Sequence, residues 1–597
     1  MSPVFIRDWR VSMKFNNIKL MSIFATTLLI IIIAVASFAY FGTFDVNLIN
    51  NVAININSSS PGNATFISNA TALNLQVPAA NMSYTAANNT VAAKEDIAYL
   101  DVTLTGSANL RTTCTYDIVY EYDAGSNVYG QGTTTKTSGA TKEITLEVNG
   151  MNGNNHFATE TNFDHANIQS YYDSTNKYYK LVEGAKIQSL GTEQSVRWKI
   201  TGRYYNLDVS QSQLGGKNFT GKIYAISKGC SSEDGTTVKK GYETILANNG
   251  GKTTIEAKTA DFTTVETSNA GMYSYTEGTG KTYYYRGAVD NNWVKYGKFK
   301  EDQIVYRGYF DENSTDEVWY DGNNINYIDY PTLAECQTGV DPDMYASTYN
   351  YKCKEVVYAH KGDDMYWRII RVDKDNKIRM IYTGNKAPSE STKVMITGTD
   401  TNMGMTVYNS NSDNSEYVGF QYTPGSQRGT TTNSIIKTYL DNWYIKYFNE
   451  NISTSRFNQT TFCNDRNTSS TWVSNGSNFD YAPYTRLSAD TPTPTFECNS
   501  ADMVINNFGL ITADEIVLAG GKCYTSNNSF YLNNDTAYWT GSPMSYGISV
   551  VFGLDPRKGL RHAVLIHLHY AARGVITLSS DTKLLGSGTY DDVYVVS

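Results

Sequence analysis

Apolar and polar positions alternate along five stretches between residues 93 and 235: AYLDVTLTG, CTYDIVYEYD, KEITLEVNG, SVRWKITGRYYNLD and FTGKIYAISKG. A period of two marks half-buried strands, and the Gly-, Asn- and Ser-rich segments between them supply turns. This spacing predicts a β-sandwich over 93–238. Beyond 240 the texture changes to aromatic strands mixed with helices. Trp367 to Val372 and Lys377 to Tyr382, joined by Asp373 to Asn376, predict a hairpin. Ile436, Leu440, Trp443, Tyr444 and Tyr447 fall on one helical face, which predicts a helix over 434–448 behind a Ser434 or Asn433 cap. In FGLITADEIVLAGG, Thr512 and Glu515 fit a capping box, and Gly520-Gly521 stops the helix.

Ahead of these elements, Met21 to Phe41 carries no charge, and 21 residues at about 1.5 Å each can cross a hydrocarbon core. Arg7, Arg10, Lys14 and Lys19 precede it, whereas the first Lys after it is Lys94. The positive-inside rule then gives a cytoplasmic tail over 1–20, a membrane anchor over 21–41 and everything beyond outside the cell. A cleaved signal peptide competes, with small residues at Ala34-Val35-Ala36 and Ser37-Phe38-Ala39. Residues 42–92 contain no Lys or Arg and show no sustained periodicity, so they read as a flexible stalk.

Composition narrows the function classes. At 597 residues the chain is long enough for roughly three folded units. With 56 Asn, 47 Tyr, 46 Gly and only 18% charged residues it is neither acidic and disordered nor a coiled coil. The net charge of −9 and the scattered Lys and Arg exclude a nucleic-acid partner. No CxxC, HExxH, GxSxG, Walker-type or GxGxxG motif occurs, so nothing in the chain reads as an enzyme and no cofactor is expected. The sandwich segment, with its short strands and turn signals, fits the immunoglobulin-like kind.

Seven Cys occur. Export would allow Cys114 and Cys230 to pair across the two sheets, with two buried free thiols as the alternative. Cys336 with Cys353 and Cys463 with Cys498 are further candidate bridges, leaving Cys523 unpaired.

Several stretches carry a resemblance: YYYRGAVDNNWVKYG, YWRIIRV, LDNWYIKYF, FCNDR, PYTRL, FGLITADE, YWTGSP and RGVITLSSDTKLLGSGTYDDVYVV. Together they resemble a family of largely uncharacterised, membrane-anchored surface proteins of low-GC gut bacteria. The resemblance implies a C-terminal α+β domain over 239–597 with the C-type-lectin-like fold of the formylglycine-generating-enzyme type, and 298–364 reads as an insertion in it. The chain departs from the family where Arg573-Gly574-Val575-Ile576-Thr577-Leu578 stands for RPVINL, and it lacks the EPN, QPD and WND calcium-lectin signatures. In some families of this resemblance a retroelement rewrites adenines in a C-terminal repeat, depleting Asn; here no Asn follows Asn534.

The same region gathers cations. Arg557, Lys558, Arg561, His562, His567, His569 and Arg573 lie between Ser542 and Arg573, with Asp555 the only acid. ISVVFGLD and LRHAVLIHLHY predict a hairpin over Pro556 to Gly559, whose alternation puts His567 and His569 on one face. An HxH pair can chelate, yet zinc needs a third protein ligand, so no metal site is assigned. An ordinary basic hairpin is the plain alternative. The expectation is thus a β-rich, multidomain, single-pass cell-surface protein for adhesion or ligand binding. Its contacts with an extracellular glycan or protein come from Trp539, Tyr546, Arg557, Lys558, Arg561, His562, His567 and His569. Protonated His would then strengthen binding as pH falls toward 6. A metal-assisted enzyme on the same fold and a purely structural envelope protein are the rivals.

Overall fold

The computed structural model describes residues 65–76, 92–106, 110–122, 142–150, 153–164, 168–191, 193–207, 211, 214, 217–234, 238–310, 319–320, 323–324, 327–338, 351–410, 414–449, 460–469, 471–472, 480–545 and 549–596. The apolar run 21–41 lies outside them, and among the described residues no helix is long and apolar enough to cross a membrane.

The alternating segments become two antiparallel sheets over one core. One sheet orders Thr65–Ser68, Lys94–Thr105, Glu193–Tyr204, Ile144–Asn149 and Thr161–Asn162; the other runs Thr71–Gln76, Asn218–Asp234, Leu110–Tyr122, Tyr178–Leu190 and Asn154–Asn155. Leu100, Val102, Leu104 and Ile200 face Tyr116, Ile118 and Ile187 across the core. Trp198 of the first sheet donates its indole N–H to the Tyr116 hydroxyl of the second, 3.0 Å away. Such a bond lets a large ring be buried without an unpaired donor.

Two expectations need correction here. The fold begins before residue 93: Thr65–Ser68 pairs with Lys94–Thr105, Thr71–Gln76 pairs with Asn218–Asp234, and Phe66, Leu73 and Leu75 are buried. These strands are too short and too rich in Thr and Asn to stand out from a stalk. Cys114 and Cys230 are bonded, but as register partners on neighbouring strands of one sheet, with Cα atoms 4.0 Å apart, and not across the two sheets.

From 241 onward a second core forms around a ten-stranded mixed sheet. Its central path orders Gly509–Leu510, Gly574–Leu578, Ile378–Gly384, Asp364–Val372, Trp293–Phe299, Tyr594–Val596 and Leu584–Leu585. The expected hairpin is the pair Asp364–Val372 and Ile378–Gly384. Helix Ile435–Tyr447 is capped by Ser434, whose hydroxyl accepts from the Lys437 N–H, and it buries Ile436, Leu440, Trp443 and Tyr447. A five-stranded sheet of Met405–Val407, His569–Ala571, Tyr538–Ser545, Ser549–Asp555 and Gly559–Leu565 lies beside this core. Within 298–364, Gln303–Phe310, Tyr327–Tyr330 and Tyr351–Ala359 make a three-stranded sheet, with Cys336 bonded to Cys353.

Among the described residues four arginines are fully buried: Arg286, Arg368, Arg466 and Arg573. Each donates to at least two backbone carbonyls. Arg573, for example, donates to Tyr382 O at 2.7 Å and Leu532 O at 2.6 Å. Arg573 thereby ties the irregular chain at Leu532 to the sheet, satisfying a carbonyl that burial would otherwise strand.

Candidate functional site

Adjacent strands of the mixed sheet place three polar side chains in one cross-strand row. Arg371 is the register partner of Arg379, and Arg379 is the register partner of Thr577. Each sits between apolar neighbours on its strand, with Ile370, Val372, Ile378, Met380, Ile576 and Leu578 buried around them. Like charges directly opposite on a sheet repel. Glu515 answers them from the short helix Ala513–Leu518. Its Oε2 closes the capping box by accepting from the Thr512 N–H at 2.9 Å. Its Oε1 faces Arg379 Nε at 2.9 Å and Arg371 Nε at 3.2 Å.

Above this row opens a cavity of about 400 Å³, within the ~300–1,000 Å³ of small-molecule sites. Arg486 stands on another wall, donating to both Asp514 oxygens at 2.6 and 2.5 Å and pairing with Asp465 at 2.6 Å. Burial pulls the Arg486 pKa down, but the two carboxylates outweigh it and hold the guanidinium above its ordinary range. Phe496, Met503 and the Cys463–Cys498 disulfide form an apolar side, seven hydroxyl residues join it (Thr460, Thr461, Thr495, Ser500, Thr512, Ser542 and Thr577), and Glu277, Asp373, Lys374, Asp375, Lys377 and Glu497 complete the lining. Phe496 lies 4.5 Å under the Arg371 guanidinium and Phe462 4.5 Å under that of Arg379. Stacking fixes the plane of each guanidinium while leaving its edge open.

Four buried polar atoms of this lining lack an aligned hydrogen bond among the described residues: Arg371 Nε, Arg379 Nε, Glu515 Oε1 and Thr577 Oγ1. Buried polar groups are ordinarily satisfied, so their concentration in one cavity marks it out. Burial lowers the Arg379 pKa to about 10 against the pull of Glu515, with Arg371 adding to the fall, which leaves it a cation at neutral pH.

The residues expected from sequence do not converge. Trp539 is fully buried, donates to Thr406 O at 2.8 Å and packs on Tyr408 and Tyr570, so it is core and meets no ligand. Tyr546 lies outside the described residues. Arg557 is exposed and Lys558 half-buried in the turn between Ser549–Asp555 and Gly559–Leu565. Arg561 and His562 follow, with His562 edge-on to Tyr484 at 4.7 Å and Tyr524 at 4.6 Å. The strand stops at Leu565, leaving His567 exposed in a turn, while His569 opens a different strand paired with Met405–Val407. The alternation therefore does not carry through, and no shared His face forms. The expected gain in charge near pH 6 is lost at His569, whose pKa burial lowers to about 4, and is pushed to lower pH at His562, where burial and then Arg561 lower the pKa.

No family model, curated protein or solved structure matches the chain. The cavity went unnoticed in the sequence because its residues are spread from Glu277 to Thr577. One signal was present: YWRIIRV and KIRMIYTG each set an arginine inside an apolar strand.

Proposed function

We propose that the chain is a single-pass cell-surface protein that binds an extracellular ligand in the charged cavity of its C-terminal module. In this reading 21–41 is the anchor, the paired sheets are an immunoglobulin-like spacer, and 239–597 is a C-type-lectin-like domain. The observation that carries it is the cavity itself, whose buried cations, carboxylate and hydroxyl wait without aligned partners. Pre-formed concave sites with a few convergent polar groups are where small ligands bind. Recognition by such groups needs no cofactor.

The test is a glycan and surface-protein array probed with the full chain in detergent micelles. Ser500 is exposed at the cavity rim, so Ser500→Trp blocks entry without disturbing the core. The expected result is binding lost in Ser500→Trp and kept when Arg557, Lys558, Arg561, His562, His567 and His569 are all Ala. Binding lost only in the six-fold variant would return the site to the hairpin, and no binding at all would favour a structural role.

A further inference from the structure

We infer that the cavity selects ligands bearing a carboxylate or sulfate group, held by the Arg371 and Arg379 guanidiniums with Thr577 beside Arg379. This rests on the ligand-binding reading and adds its chemical class. The charge arithmetic is local: Arg371 and Arg379 both aim Nε at one oxygen of Glu515, two guanidiniums for one carboxylate. Asp373, a further acid on their hairpin, is turned into the loop, where its Oδ1 accepts the Asp375 and Lys377 N–H groups; its charge acts on both arginines from there, but it makes no ion-pair contact with either. Arg486 is committed to Asp465 and Asp514, and Lys374 pairs with Glu277 at the mouth.

Donor supply agrees with the charge. Arg371 makes no hydrogen bond to a described residue, and 15% of its side chain is open to the cavity. Arg379 has only a long 3.5 Å contact from Nη1 to Thr461 O. Two stacked guanidiniums with free edges present the planar donor fork that matches carboxylate or sulfate oxygens. Thr577 Oγ1, 3% exposed as a residue and unpartnered among the described residues, stands next in the row as a further donor. Phe496 and Met503 offer an apolar wall to the carbon side of the same ligand. An acidic monosaccharide has this combination of anion, hydroxyls and apolar ring face.

The test is calorimetric titration of the full chain in detergent micelles with D-glucuronate, inorganic sulfate and D-glucose. The expected result is saturable binding of glucuronate or sulfate, with whichever binds tighter identifying the anion, and glucose at least about tenfold weaker. Arg371→Gln should weaken anion binding roughly 10- to 100-fold, measured at a temperature where circular dichroism shows the variant folded, and Arg371→Lys should recover only part of it. Absence of glucuronate and sulfate binding in the wild type overturns the inference, as does affinity indifferent to Arg371→Gln. If a neutral glycan binds the array and is lost in Ser500→Trp while both anions fail, the anion assignment falls and the binding reading stands. If nothing binds anywhere, both fall.

Discussion

Glu515 sits at the point where fold and site meet. One of its oxygens caps a helix and the other holds two opposed arginines. Glu515→Gln keeps the shape and the cap but leaves both guanidiniums without a counterion. Removing one partner of a buried ion pair costs about 3–5 kcal/mol. Denaturant titration should show a loss of that order, partly restored by added sulfate if the arginine pair takes anions; a neutral effect would mean the pair is compensated elsewhere. His569 makes a pH prediction of known sign. Burial against Tyr330 keeps it neutral, with its pKa lowered from 6.5 to about 4. Between those values the unfolded chain binds more protons, so stability is full above 6.5 and falls as pH drops toward 4. The melting temperature should fall from pH 7 to pH 5, and His569→Phe should flatten that slope; parallel curves would contradict it. Trp539 shows where residue-level inference fails: an aromatic among polar residues looks like a contact residue, and only the strand pairing reveals that it is core.

At the scale of elements, alternation predicted the strands Lys94–Thr105, Leu110–Tyr122, Ile144–Asn149, Glu193–Tyr204 and Asn218–Asp234, because apolar residues recur at every second position along much of each, although Tyr116 to Tyr120 and Ile144 to Leu146 are buried on both faces. It missed Thr65–Ser68 and Thr71–Gln76, whose few apolar residues carry too little pattern. It also ran LRHAVLIHLHY through as one strand where the chain turns at Ile566 and His567. Cavity walls are harder still, since the row Arg371, Arg379, Thr577 exists only once register is known. The Cys463–Cys498 bridge joins the wall of that cavity across a sequence separation of 35. Replacing both with Ser should cost about 2–5 kcal/mol and weaken array binding, measured by thermal melting and the array together. Binding untouched by the double substitution would place the ligand away from this wall.

The described chain from 65 to 596 belongs to one compact unit although it has two main cores. Trp293, Tyr366, Ile396 and Val593 of the C-terminal part pack into the core of the paired sheets. Arg197, held in place by Asp101 at 2.8 Å, reinforces the junction by donating to Lys361 O at 2.5 Å, and Lys295 donates to Ser195 O at 2.9 Å. The sheets are thus a fixed base for the cavity-bearing module. Trp293→Ala, at about 3–5 kcal/mol for a buried Trp, should lower the unfolding transitions of both parts in calorimetry. A shift confined to one part would show them independent.

The charged cavity is proposed as the place where the protein meets its ligand. Its most direct test is array binding by the full chain, wild type beside Ser500→Trp at matched melting temperature. The wild type is expected to bind a ligand that is lost when the rim is blocked; equal binding by the two proteins would put the ligand outside the cavity.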